Sequence, residues 1–175
     1  MSPDIQHILY ATDLSPNSTH AMRYASKIAR QNKARMTILH VVEAPSPTTY
    51  ALLSSFLEYT EMKAKRAEQI AYHIEQIRKR LDQLCEKECR YDPELVARVE
   101  KIEVREGFPA EEILKEARDG NCDLIVMGTH GKGALENTFV GSVARRVLRR
   151  TRRPVLVVPL PGGEQDATHG EQDDI

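Results

Sequence analysis

The chain has 175 residues, 41% of them hydrophobic and 29% charged, which fits one globular domain of ~100 to 200 residues and excludes general disorder or a fibrous repeat. Lys+Arg number 25 against Asp+Glu 26, a formal charge of -1, so no overall basic excess draws the protein to nucleic acid or an anionic membrane. No apolar run approaches the ~20 residues that cross a bilayer, and residues 1–11 lack a basic leader region, so a cytoplasmic protein with no membrane partner is expected.

Cys85, Cys89 and Cys122 are the three cysteines, with no C-x-x-C among them, a pattern that suits a reducing compartment. Cys85 and Cys89 are spaced to share a helix face, but no His or carboxylate cluster accompanies them, so they read as helix-face thiols and not a metal pair.

Residues 5–11 (IQHILYA) form an apolar run ending at Thr12 and Asp13, which predicts a buried strand feeding a polar loop. Ser15 before Pro16 predicts a helix start, with a hydroxyl N-cap and proline where its missing N–H costs nothing. Ala21, Tyr24, Ala25, Ile28 and Ala29 recur at helical spacing and predict one apolar face. Residues 36–42 (MTILHVV) read as a second strand covered on both sides. Tyr10 and His40, inside these two runs, are expected to serve core packing.

Residues 43–55, with Pro45 and Pro47, predict an irregular connection. A long helix follows over roughly 56–87, with Ala67, Ile70, Ile74, Ile77, Leu81 and Leu84 three and four apart. That pattern lasts about two and a half heptads, too few for a coiled coil, and predicts a crossover helix lying on a sheet. Asp92-Pro93 restarts a short helix, and Lys101 to Arg105 alternates like an edge or half-covered strand.

Gly107-Phe108-Pro109 ends that strand, and Ala110, Ile113, Leu114 and Ala117 predict a helix stopped by Gly120 and Asn121. Residues 123–127 (DLIVM) predict a strand, 128–140 a glycine-bearing loop, 142–151 a helix and Pro154 to Val158 the last strand. This alternation predicts an α/β fold over 1–160: a single open five-stranded parallel sheet, helices on both faces, strand order 3-2-1-4-5, Rossmann-like. Residues 161–175 are acidic and nearly devoid of apolar side chains, and a disordered tail is expected.

In an open α/β sheet, ligands bind beyond the carboxyl ends of the strands where the strand order reverses. Three places qualify: Thr12-Asp13, residues 41–44, and Gly128 onward in GTHGKGALENTFVGS. Glycines let main-chain N–H groups approach an anion, and Gly141-Ser142 opens a helix whose N-terminus favours phosphate. The same glycines also suit a tight strand-to-loop turn and a helix start. A P-loop is absent because Lys132 is followed by Gly133, and G-x-G-x-x-G fails because Gly131 and Gly133 are followed by Glu136.

The segments ILYATDLS, ILHVVE, EGFPAEEILKEA, DLIVMGTHGKG and VGSVARRVLRRTRRPVLVVP resemble the universal stress protein family across about residues 1–160. Most specific is the pattern glycine, two residues, glycine, nine residues, glycine with Ser or Thr, met by Gly128, Gly131, Gly141 and Ser142. The pattern marks the ATP-binding members of that family. The resemblance implies a cofactor site of Ala11, Thr12, Asp13, Val41, Met127, Gly128, His130, Gly131, Gly141, Ser142 and Val143. In it Asp13 would bond the ribose hydroxyls, the main chain at Val41 would read the adenine edge, and Gly128, His130, Gly131, Gly141, Ser142 and Val143 would hold phosphates, with Mg2+ or Mn2+ bridging them. The long region from Ala44 to Glu100 and the acidic tail depart from the family pattern and leave the protein partner undefined.

Other readings stay beside these. Asp13 could cap its own turn, and His130 or Lys132 could neutralise phosphate or stand in solvent. The dense basic run of Arg145, Arg146, Arg149, Arg150, Arg152 and Arg153 lies mostly late on its helix, where cations complement the dipole, and lacks interleaved aromatics for base stacking. The expected function is an ATP-binding regulatory protein of the stress response. A slow ATPase or phosphotransferase, and an interaction module with a vestigial site, are its rivals. The apolar last strand, Pro154 to Val158, predicts a homodimer through that edge.

Overall fold

A computed structural model describes residues 4–15, 18–43, 48, 59–88, 97–129 and 140–159. The elements run β1 (His7–Thr12), α1 (Ser18–Asn32), β2 (Arg35–Glu43), α2 (Tyr59–Glu88), β3 (Val99–Gly107), α3 (Pro109–Asp119), β4 (Leu124–Gly128), α4 (Ser142–Arg150) and β5 (Val155–Val158). The sheet is five-stranded and parallel, in the order β3-β2-β1-β4-β5. This is the expected architecture and strand order. The predicted connection over 43–55, the short helix at Asp92-Pro93 and the tail lie almost wholly outside the described residues.

β1 is central, bonded to β2 on one side and β4 on the other, and every one of its residues is buried. Alternation along the strands sends Ile8, Tyr10, Met36 and Ile38 to one face, where they meet Ala21, Met22, Ala25 and Ala29 of α1 and Ile77 of α2. Leu9, Ala11, Leu39 and Ile125 point to the other face and meet Ala110, Ile113 and Ala117 of α3 and Ala144 and Val147 of α4. Helices thus cover both faces.

The face of α1 differs from expectation, whereas α3 stops at Gly120 as expected. The buried stripe of α1 is Ser18, Ala21, Met22, Ala25, Ser26 and Ala29, rotated so that Met22 packs inward while Tyr24 is 46% exposed. A small serine can be buried beside the sheet where Tyr24's bulk and hydroxyl cannot. At the end of α3 it is Asn121, at φ 48, that takes the left-handed conformation, whereas Gly120 stays right-handed at φ -82; an asparagine tolerates that region better than most side chains.

On α2, Ile77 is fully buried but Ala67 is exposed and Ile70 and Ile74 are only half-buried. The helix is tied to β3 by Arg66 and Glu106 at 2.7 Å.

Candidate functional site

The lengths of the strands make a notch at the carboxyl edge of the sheet. Pairing of β1 with β2 ends at Thr12 opposite His40, while β2 continues against β3 to Glu43 opposite Gly107. On the other side, β1 leaves β4 at Ala11 opposite Met127, and β4 goes on to Gly128 opposite Val158. Val41, Val42 and Glu43 therefore rise past the end of β1. The main-chain groups of a parallel strand bond its two neighbours alternately. Arg35 N donates to Gln6 O at the foot of β1, and Met36 N donates to Arg98 O on the β3 side. The same alternation turns the N–H and C=O of Val41 towards the β1 side, where the ladder has ended. Thr12 closes its own end: its carbonyl accepts from His40 Nδ1 at 2.8 Å.

A cavity of about 630 Å³ occupies this notch, within the ~300 to 1,000 Å³ of small-molecule sites. Ala11, Thr12, Asp13, Val41, Met127, Gly128, Gly141, Ser142 and Val143 all line it. Those residues come from four separate stretches of sequence. His130 and Gly131, the remaining expected site residues, lie outside the described residues, as does Lys132. The wall on the α3 and α4 side is apolar, with Ala11, Leu39, Val41, Met127, Pro109 and Ile113; on the α1 and α2 side it is polar, with Thr12, Ser18, His40, Gln69 and His73.

Asp13 follows β1 in a tight turn. Its Oδ1 accepts from Ser15 N at 3.0 Å and from Ser15 Oγ at 2.8 Å, and Thr12 Oγ1 accepts from Leu14 N at 3.1 Å. Asp13 Oδ2 is buried with no hydrogen-bond partner among the described residues. A carboxylate oxygen in that position calls for a donor, because an unpaired buried acceptor costs ~1 to 3 kcal/mol. Asp13 therefore caps its turn with one oxygen, and the other is buried without a partner among the described residues.

Across the notch, the glycine loop is pinned at its base. Thr129 N donates to Val158 O at 2.9 Å, and Gly141 N donates to Thr129 O at 2.7 Å, so the chain leaves and re-enters at one point. Gly141 is the N-cap of α4, its carbonyl accepting from Arg145 N at 3.0 Å, and among the described residues no side chain caps the helix. The first N–H groups of α4, at Ser142 and Val143, stand at the cavity wall with the positive end of the helix dipole behind them. Arg145, in the first turn of α4, donates from Nη2 to Val140 O at 3.3 Å, which folds its guanidinium back to the loop base. Arg150, by contrast, pairs with Glu111 of α3.

The notch, the orphaned carboxylate oxygen and the uncapped helix make an arrangement that accepts donors on one side and supplies them on the other. Residues 4–159 match the universal stress protein family. The chain belongs to that family. The universal stress protein MJ0577 of Methanocaldococcus jannaschii is 32% identical over 169 residues, which cover 90% of this chain and 97% of that one. A solved structure of MJ0577 is 28% identical, with a TM-score of 0.67, covering 91% of this chain and 99% of the other. Two more distant structures share the fold. One is a universal stress protein in complex with cAMP (22% identical, TM-score 0.54, covering 90% and 98%). The other is the universal stress protein of Archaeoglobus fulgidus in complex with dAMP (18% identical, TM-score 0.51, covering 89% and 99%).

Sequence reasoning missed part of this universal stress protein's cavity. His40 is buried as expected but also lines the cavity, where it stacks edge-on against His73 with ring centroids 4.7 Å apart. Gln69, His73 and Ile77 lie at i, i+4 and i+8 on α2, so the buried Ile77 marks the inner face and its spacing points to the other two. Cys122, expected only as a thiol in a reducing compartment, is fully buried beneath α3.

Proposed function

We propose that this universal stress protein binds ATP in the notch and acts as a regulatory protein of the stress response in the cytoplasm. The observation that carries the reading is one cavity lined by Asp13, whose Oδ2 is buried without a partner among the described residues, and by the start of α4, which no described side chain caps. A nucleotide meets both needs at once. Its ribose hydroxyls donate to Asp13, its phosphates accept from the N–H groups of Ser142 and Val143 beside the Gly141 main chain, and its adenine lies against the apolar wall and reads the Val41 main chain. Two structures of the same fold hold adenine nucleotides, cAMP and dAMP, which supports the ligand class. The glycine pattern of Gly128, Gly131, Gly141 and Ser142, which resembles that of the family's ATP-binding members, favours a triphosphate in this reading.

No group of three or more His, Cys, Asp or Glu among the described residues could hold a metal ion, so Mg2+ or Mn2+ in this reading is carried by the phosphates. No helix among the described residues is long and apolar enough to cross a membrane. The sheet edges suggest the assembly. β3 carries Glu100, Lys101, Glu103, Arg105 and Glu106, a charged edge that resists pairing, whereas β5 reads Val155, Leu156, Val157 and Val158 and has β4 on one side only. A homodimer through β5 follows, and light scattering should give twice the monomer mass at micromolar protein; a monomer alone would remove it. Mass spectrometry of nucleotide released from freshly purified protein tests the ligand: an adenine nucleotide, ATP foremost, is the expected result.

A further inference from the structure

We propose that Ser15 is a positioning residue for nucleotide recognition: it holds the Asp13 carboxylate so that a single oxygen, Oδ2, reads the sugar. The inference rests on the nucleotide reading above and deepens it. Ser15 contributes two of the donors around Asp13, its N–H and its hydroxyl, and both go to Oδ1, at 3.0 and 2.8 Å. With Oδ1 engaged twice, rotation of the carboxylate about its last bond would break two hydrogen bonds, so Oδ2 keeps one direction. That direction leads into burial without a partner.

Ser15 is itself fixed from the helix side. It is buried, and its carbonyl accepts from Ser18 N at 3.1 Å and Ser18 Oγ at 2.7 Å, while its Oγ accepts from Ser18 N at 3.3 Å. Ser18 in turn accepts at its carbonyl from Tyr10 OH at 2.6 Å, inside the core. The carboxylate is thus referenced to the sheet through Ser15, Ser18 and Tyr10. Leu14, between Asp13 and Ser15, takes φ 61, a conformation a leucine adopts at a cost, and the turn that needs it is the one that brings Ser15 under Oδ1. A free ribose hydroxyl is the chemistry that satisfies Oδ2, and a sugar without hydroxyls leaves it orphaned.

The test separates the hydroxyl's two duties, capping α1 and holding Asp13. Ser15→Asp keeps an N-cap acceptor for Ser18 N but has no proton for Asp13 Oδ1; Ser15→Gly keeps a tolerated cap residue without any hydroxyl; Ser15→Thr keeps both functions. Calorimetry with ATP and with 2',3'-dideoxy-ATP gives the ratio of the two affinities for each protein. Wild type and Ser15→Thr should prefer ATP by at least tenfold. In Ser15→Asp and Ser15→Gly the affinity for ATP should fall to that for the dideoxy compound, itself unchanged, which a general loss of structure would not produce. A full sugar preference in either variant that folds, or no sugar preference in the wild type, overturns the positioning role. A wild type that binds neither compound instead overturns the nucleotide reading.

Discussion

Single residues divide here into those whose chemistry faces the cavity and those sealed from it. Asp13 was legible because a carboxylate at the end of a buried apolar run has few structural uses. Its division into a capped and an uncapped oxygen was not legible, since it depends on the Ser15 rotamer. Cys122 is the sealed case. Its thiol is fully buried, and burial first, with the nearby Glu116 and Asp123 carboxylates, pushes its pKa up to about 11. A thiol with so little thiolate near neutrality is a poor nucleophile. In the folded protein Cys122 should resist iodoacetamide at about pH 8, and in urea it should react, as followed by peptide-resolved mass spectrometry. Modification of Cys122 at equal rates in both states would contradict its burial.

At the scale of elements, the strands were the most legible, because a parallel sheet covered on both faces writes near-continuous apolar runs such as ILYA and LIVM. Helix faces were read less well. The α1 stripe is turned towards Met22 and the buried serines, since packing on a sheet rewards small residues that apolar spacing alone does not count. Of the described residues of the α2 stripe, Ile77 alone is fully buried, while Ile70 and Ile74 are half-buried. The link between β3 and α3 was unreadable, because it joins residues from both elements: Arg105 meets Glu103 at 3.1 Å, Glu112 at 3.5 Å and Glu116.

Burial raises the Glu103 carboxyl, but hydrogen bonds from Lys101 and Arg105, with the charges of both, outweigh it and hold the pKa below the ordinary 4.5. A folded value below the unfolded one means that this stabilisation is fully present above pH 4.5 and is lost as pH falls through the depressed value. Urea unfolding of wild type and Glu103→Gln should therefore show a stability gap at neutral pH that shrinks on acidification into that window. A gap constant with pH would show that Glu103 makes no charge-dependent contribution.

The whole molecule turns a strand order into a site. The reversal between β1 and β4, with β2 outrunning β1, opens a notch that no single segment of sequence contains, and the sequence pointed to it only through the general rule for α/β sheets. The polar wall from α2 stayed hidden, as a crossover helix announces its packing face but not what lies beyond the strand ends.

The cavity also bears on turnover. Its ionisable side chains among the described residues are Asp13, His40, Glu43 and His73, while Arg145 bonds a main-chain carbonyl at the loop base. Backbone N–H groups bind ground-state phosphate well but do not by themselves activate a water. Single-turnover hydrolysis with magnesium should therefore be very slow, on the order of 10⁻² per second or less, against ~10 per second for a typical enzyme. A rate above about one per second that vanishes in His130→Ala would make the protein an ATPase.

The central claim, that phosphate is held by main chain where α4 begins, is tested most directly at Gly141. Its φ of -63 and ψ of 163 lie in a region open to any residue, so the backbone does not require glycine there, and in the proposed reading the requirement is the close approach of a ligand. Calorimetric titration of ATP into wild type and Gly141→Val, with circular dichroism to confirm that the variant is folded, should show binding weakened by at least tenfold, ~1.4 kcal/mol. Equal affinity of the two folded proteins for ATP would contradict the assignment.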